Sequence, residues 1–185
     1  MRRKSASGIA PQEVPRYVGS DLEVVPVDMS KLTDALRTGE VDLAVGYLPA
    51  LAGATRQALA FRDREVCIVR SGHPLRARTM SLAAFSKLAH VGVSSRSSAH
   101  REMEELLEAQ DIRRRIALRL PHLSTIPNVI EATDFAATLP SAVARFFARH
   151  HRIRIYEHPA RLPRIEVTAH WHARFAHDPG NQWLR

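Results

Sequence analysis

The chain has 185 residues, 45% hydrophobic and 25% charged, with a formal net charge of +8. Those totals fit one sizeable α/β domain or two small lobes sharing a hinge. They leave out a membrane span, because no run of about 18 apolar residues is present. They also set single-strand nucleic-acid binding aside, because the arginines are scattered and not interleaved with aromatic residues.

The opening MRRKSASGIAPQEVP is basic but has no apolar stretch behind it, so it does not read as a secretory signal. The whole segment Met1–Ser20 shows no clear period and reads as irregular. Order begins at Asp21. LEVVPV (Leu22–Val27) is rich in β-formers and reads as a strand. Ser30 reads as the N-cap of a helix over Lys31–Thr38, and Gly39 as its stop. VDLAVGYL (Val41–Leu48) is apolar enough for a strand buried on both faces, which makes the opening a strand–helix–strand crossover with parallel strands.

A strand over Arg64–Arg70 follows, closed by the turn Ser71-Gly72-His73-Pro74. Its single cysteine, Cys67, sits in VCIV and reads as a buried structural residue; one cysteine also fits a reducing cytoplasm. Ser81 starts a short helix through Leu88. Next come a strand over His90–Ser95 and a helix from about His100 to Gln110 with Met103, Leu106 and Leu107 on one face. RRRIALRL (Arg113–Leu120) alternates as a strand, and Leu123–Ala132 reads as a helix with Pro127 in its first turn. FAATLP (Phe135–Pro140) is a buried strand and Ser141–His150 a helix. The last strands fall at Arg152–Glu157 and Ile165–His172. Regular alternation implies an α/β fold with mostly parallel sheets.

The order of these phrases resembles the effector-binding domain of LysR-type transcriptional regulators. LTDALRTGEVDLAVGYLP resembles the early helix and strand of that family, and REVCIVRSGHPL its next long strand and His-Pro turn. TDFAATLPSAVARFF resembles the strand and helix that follow. HPARLPRIEVTAHWHARFAHDPGNQWLR is similar to the C-terminal signature of a branch holding salicylate-type sensors and nodulation regulators, with Trp171, His172, Asp178, Pro179, Trp183 and Leu184 matching.

The resemblance implies two Rossmann-like lobes of the type 2 periplasmic-binding-protein fold, with a ligand in the cleft between them. It places an irregular segment at 1–20 and the effector domain at 21–185, with lobe I at about 21–80 and 134–185 and lobe II at about 81–133. Met1–Ser20 does not match the family's first strand and helix, so the first lobe is expected to be incomplete. The chain also stops where a final helix would begin, and the family's winged helix-turn-helix and linker helix have no counterpart in it. A truncated or frame-disrupted product is the expectation. DNA would be reached only through that absent module, and a homo-oligomer through side-by-side pairing of effector domains.

Ten histidines raise a metal or catalytic reading. His170 and His172 share a strand face, but no third ligand stands at a matching spacing. No Gly-x-Ser-x-Gly elbow, phosphate loop or Cys–His pair is present, so no enzyme, metal or cofactor is expected. The resemblance assigns the ligand site instead to Ser97, Ser98 and His100, to His122, Ser124 and Thr125, and to Thr133 and His170, with Arg145 as an added guanidinium. Imidazole, hydroxyl and guanidinium groups without a carboxylate among them suit a small aromatic or other carboxylate. The plainer alternatives stay open. Ser124 and Thr125 can be helix caps, His122 a turn residue and Arg145 a solvated cation. A solute-binding protein of a transport system would share the fold but needs a signal sequence.

Overall fold

The computed structural model describes residues 4–7, 21–26, 28–94 and 98–185, with the backbone alone at 4–7 and 98–101. The chain divides into two compact units, Met1–Arg62 with Glu166–Arg185, and Asp63–Ile165. Each is a five-stranded sheet with helices.

The first unit holds β1 (Lys4–Ser7), β2 (Leu22–Val24), α1 (Leu32–Thr38), β3 (Leu43–Gly46), β4 (Arg56–Asp63), β10 (Ile165–Trp171) and α6 (Pro179–Leu184). The sheet order is β2-β1-β3-β10-β4. β1 runs parallel to β2 and β3, pairing Ala6 with both Val24 and Leu43, while β10 runs antiparallel to β3. This corrects two expectations. The segment at the N-terminus is not wholly irregular, and the lobe does not lack a strand beside Leu22–Val24: Lys4–Ser7 fills that place. KSAS carries no apolar pattern, so nothing local marks it. Its pairing comes from neighbours on both sides. Residues 8–20, where a first helix was sought, lie outside the described residues.

α1 buries Leu32, Ala35 and Leu36 on one face, against Val41, Ala44 and Leu51. It ends at Gly39, whose φ of 78° is the left-handed conformation that a residue without Cβ adopts at no cost. Ser30 does not cap this helix as expected. Its N–H and hydroxyl both donate to the Asp28 carboxylate, at 2.9 and 2.8 Å, which makes the preceding turn. The C-terminus also differs from expectation, since a final helix does form. Asp178 caps α6 by accepting from the Asn181 N–H at 2.8 Å, and Pro179 occupies its first turn. Asn181, buried, donates to the Asp42 carbonyl at 2.7 Å, and the Arg185 guanidinium lies 4.3 Å from the centre of the Trp171 ring. Asp178→Ala is expected to lower stability by about 1 kcal/mol, read as a lower thermal midpoint, whereas Asp178→Asn should keep most of it.

The second unit holds β5 (Glu65–Arg70), α2 (Leu82–Lys87), β6 (Ala89–Val93), α3 (Ser98–Ala109), β7 (Arg115–Leu120), α4 (Ile126–Ala132), β8 (Ala136–Pro140), α5 (Ser141–Ala148) and β9 (Ile153–Glu157). Its sheet order is β7-β6-β8-β5-β9. β6 is parallel to β7 and β8; β5 is antiparallel to β8 and β9. The sheets are therefore mixed, not mostly parallel. The boundary between units also moves. The sequence reading put β5, β8 and β9 in the first lobe, but β5 pairs on both sides within the second sheet. Periodicity says that a segment is a strand; it does not say which sheet accepts it.

Both faces of this sheet are covered. Val66, Ile68, Val91, Ala137 and Leu139 meet Ile126 and Ile130 of α4 and Ala144 and Phe147 of α5. The other face carries Cys67, Val69, Ala136 and Tyr156 against Phe85 of α2. Cys67 is fully buried and free, and burial pushes its thiol up to about 12, as its apolar surroundings imply. Ser81 caps α2 as read, its hydroxyl accepting from the Ala84 N–H at 3.1 Å. No helix among the described residues is long and apolar enough to cross a membrane.

Candidate functional site

In the second unit three parallel strands, β7, β6 and β8, end at one edge of the sheet. The register pairs Val93 with Leu120, and just beyond β6 the Ser94 N–H donates to the Leu120 carbonyl at 2.7 Å. The chain leaving each strand end carries residues singled out from the sequence. After β6 come Ser97, outside the described residues, then Ser98 and His100 in the first turn of α3, where only the backbone is described. After β7 comes the 3-10 turn Leu123–Thr125, preceded by His122. After β8 comes α5 with Arg145. Carboxyl ends of parallel strands are where open α/β sheets bind ligands, because loops diverge there and leave a crevice.

The turn after β7 is built locally. His122 is extended (φ −131°, ψ 139°) and its carbonyl accepts from the Thr125 hydroxyl at 2.9 Å. Thr125 thus ties the turn together, and its side chain does not cap α4 as its plainer reading had it. The His122 and Ser124 side chains are exposed.

α5 meets an anchor that the sequence reading missed. Asp63, the buried last residue of β4, accepts from the Arg64 N–H at 2.8 Å, from the Ala142 N–H at 3.0 Å and from the Ser141 hydroxyl. Arg145, exposed, donates to the Ser141 oxygen at 3.0 Å. Asp63 therefore neutralises the start of α5, and Arg145 is steered through Ser141. The signal was faint. An acidic residue flanked by Arg62 and Arg64 reads as surface, and only the long-range pairing of Glu65 with Pro140 brings it to the helix.

Two expected residues stand elsewhere. Thr133 lies before β8, at the opposite end of that strand. Its hydroxyl donates to the Val129 carbonyl at 2.8 Å and accepts from the Phe135 N–H at 3.2 Å, which closes α4. His170 lies in the first unit, 1% exposed, with both ring nitrogens engaged. Nδ1 is 2.8 Å from the Thr55 hydroxyl and Nε2 is 2.6 Å from that of Thr168. Thr55 donates its own proton to the Leu51 carbonyl at 3.1 Å, so Nδ1–H is the donor to Thr55 and Thr168 donates to Nε2. Burial holds this imidazole below its ordinary value, in the neutral form. His172 caps the following turn, accepting from the Arg174 N–H at 3.2 Å, and forms no pair with His170. Among the described residues no group of three or more His, Cys, Asp or Glu side chains is placed to hold a metal.

Residues 15–185 match the family described as the LysR substrate binding domain. The chain belongs to that family. A curated relative, the HTH-type transcriptional activator NagR of Ralstonia sp, is 41% identical over 83% of this chain and 51% of its own length. The chain spans about half the length of the curated relatives it matches. Among solved structures, the regulatory domain of MexT, a transcriptional activator in Pseudomonas aeruginosa, superposes with a TM-score of 0.74 at 22% identity, over 90% of this chain and 82% of that one. The effector binding domain of QuiR in complex with shikimate gives 0.68 at 12% identity, over 88% and 77%. These likenesses fix the fold of this LysR domain as the type 2 periplasmic-binding-like α/β architecture.

Proposed function

We propose that this LysR domain senses a small aromatic or otherwise unsaturated carboxylate, held at the carboxyl ends of β6, β7 and β8. The observation that carries the reading is topological. Ser97, Ser98 and His100, then His122, Ser124 and Thr125, then Arg145 follow three parallel strands that finish at one edge. Neutral imidazole and hydroxyl groups orient a carboxylate, and a guanidinium pairs with it on two parallel bonds. The Asp63 carboxylate at the start of α5 is already engaged by Ser141 and Ala142. The shikimate complex of a fold neighbour supports the ligand class, since shikimate is a cyclic unsaturated acid. Thr133 and His170 serve their own helix and sheet.

Regulation of transcription, a cytoplasmic location and assembly into a homo-oligomer come with this reading. So does the absence of catalysis. DNA contact belongs to a helix-turn-helix domain of the whole regulator, in keeping with the names of relatives of which this chain covers about half.

Titration of aromatic carboxylates by calorimetry tests the site. His122→Ala and Arg145→Ala are each expected to weaken the best acid by about 10- to 100-fold, which corresponds to about 1–3 kcal/mol. Unchanged affinity in both variants would sink the site. A cationic best ligand would sink the ligand class.

A further inference from the structure

We propose that the α2/α3 face of the second sheet holds a small internal water cluster, bound by Arg114, His158, His90 and Thr138. Among the described residues, five buried polar atoms on this side of the unit find no protein partner: Arg114 Nε, His158 Nε2, His90 Nδ1, Thr138 Oγ1 and Glu65 Oε2. His90 is 0% exposed, Thr138 6%. Native interiors leave only a few such atoms unsatisfied, because each costs the desolvation of a polar group without a bond in return.

The sheet register turns His90, Thr138 and Glu65 to one face. Cys67 pairs with Thr138 and with Tyr156, and His90 pairs with Ala136, so all of them project to the face that Phe85 covers. The Phe85 ring lies 4.5 Å from that of His90 and 4.8 Å from that of His158. Arg114 sits among them: its charge bears on Glu65, Cys67, His90 and His158. Its side chain is 5% exposed and is tied by Glu104.

The tautomers say what fits. His90 Nε2 lies 2.8 Å from the Phe85 carbonyl, which can only accept, so Nε2 carries the proton and Nδ1 presents a lone pair. His158 Nδ1 accepts from the Ala160 N–H at 3.1 Å, so its Nε2 is a donor. The unpartnered set therefore mixes donors (Arg114 Nε–H and His158 Nε2–H) with an acceptor (His90 Nδ1), and the Thr138 hydroxyl serves either way. An anion would face the His90 lone pair and a cation the Arg114 charge. Water, with two donors and two acceptors, satisfies both kinds. Arg114 also lines a pocket of about 450 Å³ together with Leu107, Ile112 and Ile116.

The sign of one substitution tests this in the full chain. Thr138→Val is nearly isosteric and removes only the hydroxyl. If water satisfies that hydroxyl, the thermal midpoint falls by roughly 2–4 °C. A midpoint that stays or rises overturns the proposal, since deleting a truly unpartnered hydroxyl relieves a penalty. A crystal structure of the unsubstituted chain gives the independent reading. Ordered solvent within about 3.2 Å of Arg114 Nε and His90 Nδ1 supports the cluster, and a dry layer overturns it.

Discussion

Asp63→Ala is expected to lower the stability of the second unit by about 2–4 kcal/mol, because three donors lose one charged acceptor. The Arg64 and Ala142 N–H groups at 2.8 and 3.0 Å and the Ser141 hydroxyl all converge on this buried carboxylate. Hydrogen bonds to a charged group are the stronger kind, and a carboxylate at the start of α5 also offsets the positive end of the helix. Asp63→Asn should recover part of the loss, since the amide oxygen still accepts. Urea unfolding checks both. A loss below about 0.5 kcal/mol in the alanine variant would show the anchor to be ornamental on the scale of surface substitutions. The same variant releases Ser141, the partner of Arg145, so weaker binding of an aromatic acid is expected with it.

The anchor also shows what could and could not be read from the chain. Elements with a strong local signal were legible: α1 with Leu32, Ala35 and Leu36 at helical spacing, the Gly39 stop, the Ser81 cap and the apolar strands β5 and β8. Elements whose identity is supplied by neighbours were not. β1 is KSAS, with no pattern to find, and β4 is RQALAFRD, mostly exposed, with only its partner β10 to define it. α6 was missed although Asp178-Pro179 is a cap followed by a first-turn proline, which is a signal that periodicity alone ignores.

The candidate site divides in the same way. The loops after β6 and β7 could be named from the family resemblance. Arg145 joins them through a parallel pairing of β6 and β8 that no local pattern encodes. His170 looked available because strand parity says only which face a side chain takes. It does not say that Thr55 and Thr168 already occupy both nitrogens.

Acid should destabilise this protein, and one carboxyl should blunt the effect. Burial first, with the Arg114 charge adding to it, lowers His90 and His158 from 6.5 to about 4 each. In the unfolded chain they protonate near 6.5, so the unfolded state binds the extra protons first. Stability is unaffected above about pH 7 and falls as the pH drops from 6.5 towards 4, by about 3 kcal/mol for each histidine at full extent. Glu65 works the other way. Burial first, then the nearby Asp63 charge, raises it from 4.5 to about 7 despite Arg114. Above pH 7 its ionised form is a buried liability of about 3 kcal/mol, relieved as the pH falls from 7 to 4.5. Between these limits two histidines lose what one glutamate partly restores, and the net change is a decline. Glu65→Gln removes the compensation. It should be the more stable protein at pH 8, lose that advantage steadily on acidification and match the parent near pH 4.5. Urea unfolding of both chains from pH 8 to 4.5 decides the matter: a stability difference that stays constant across the range would mean that Glu65 does not titrate between 4.5 and 7.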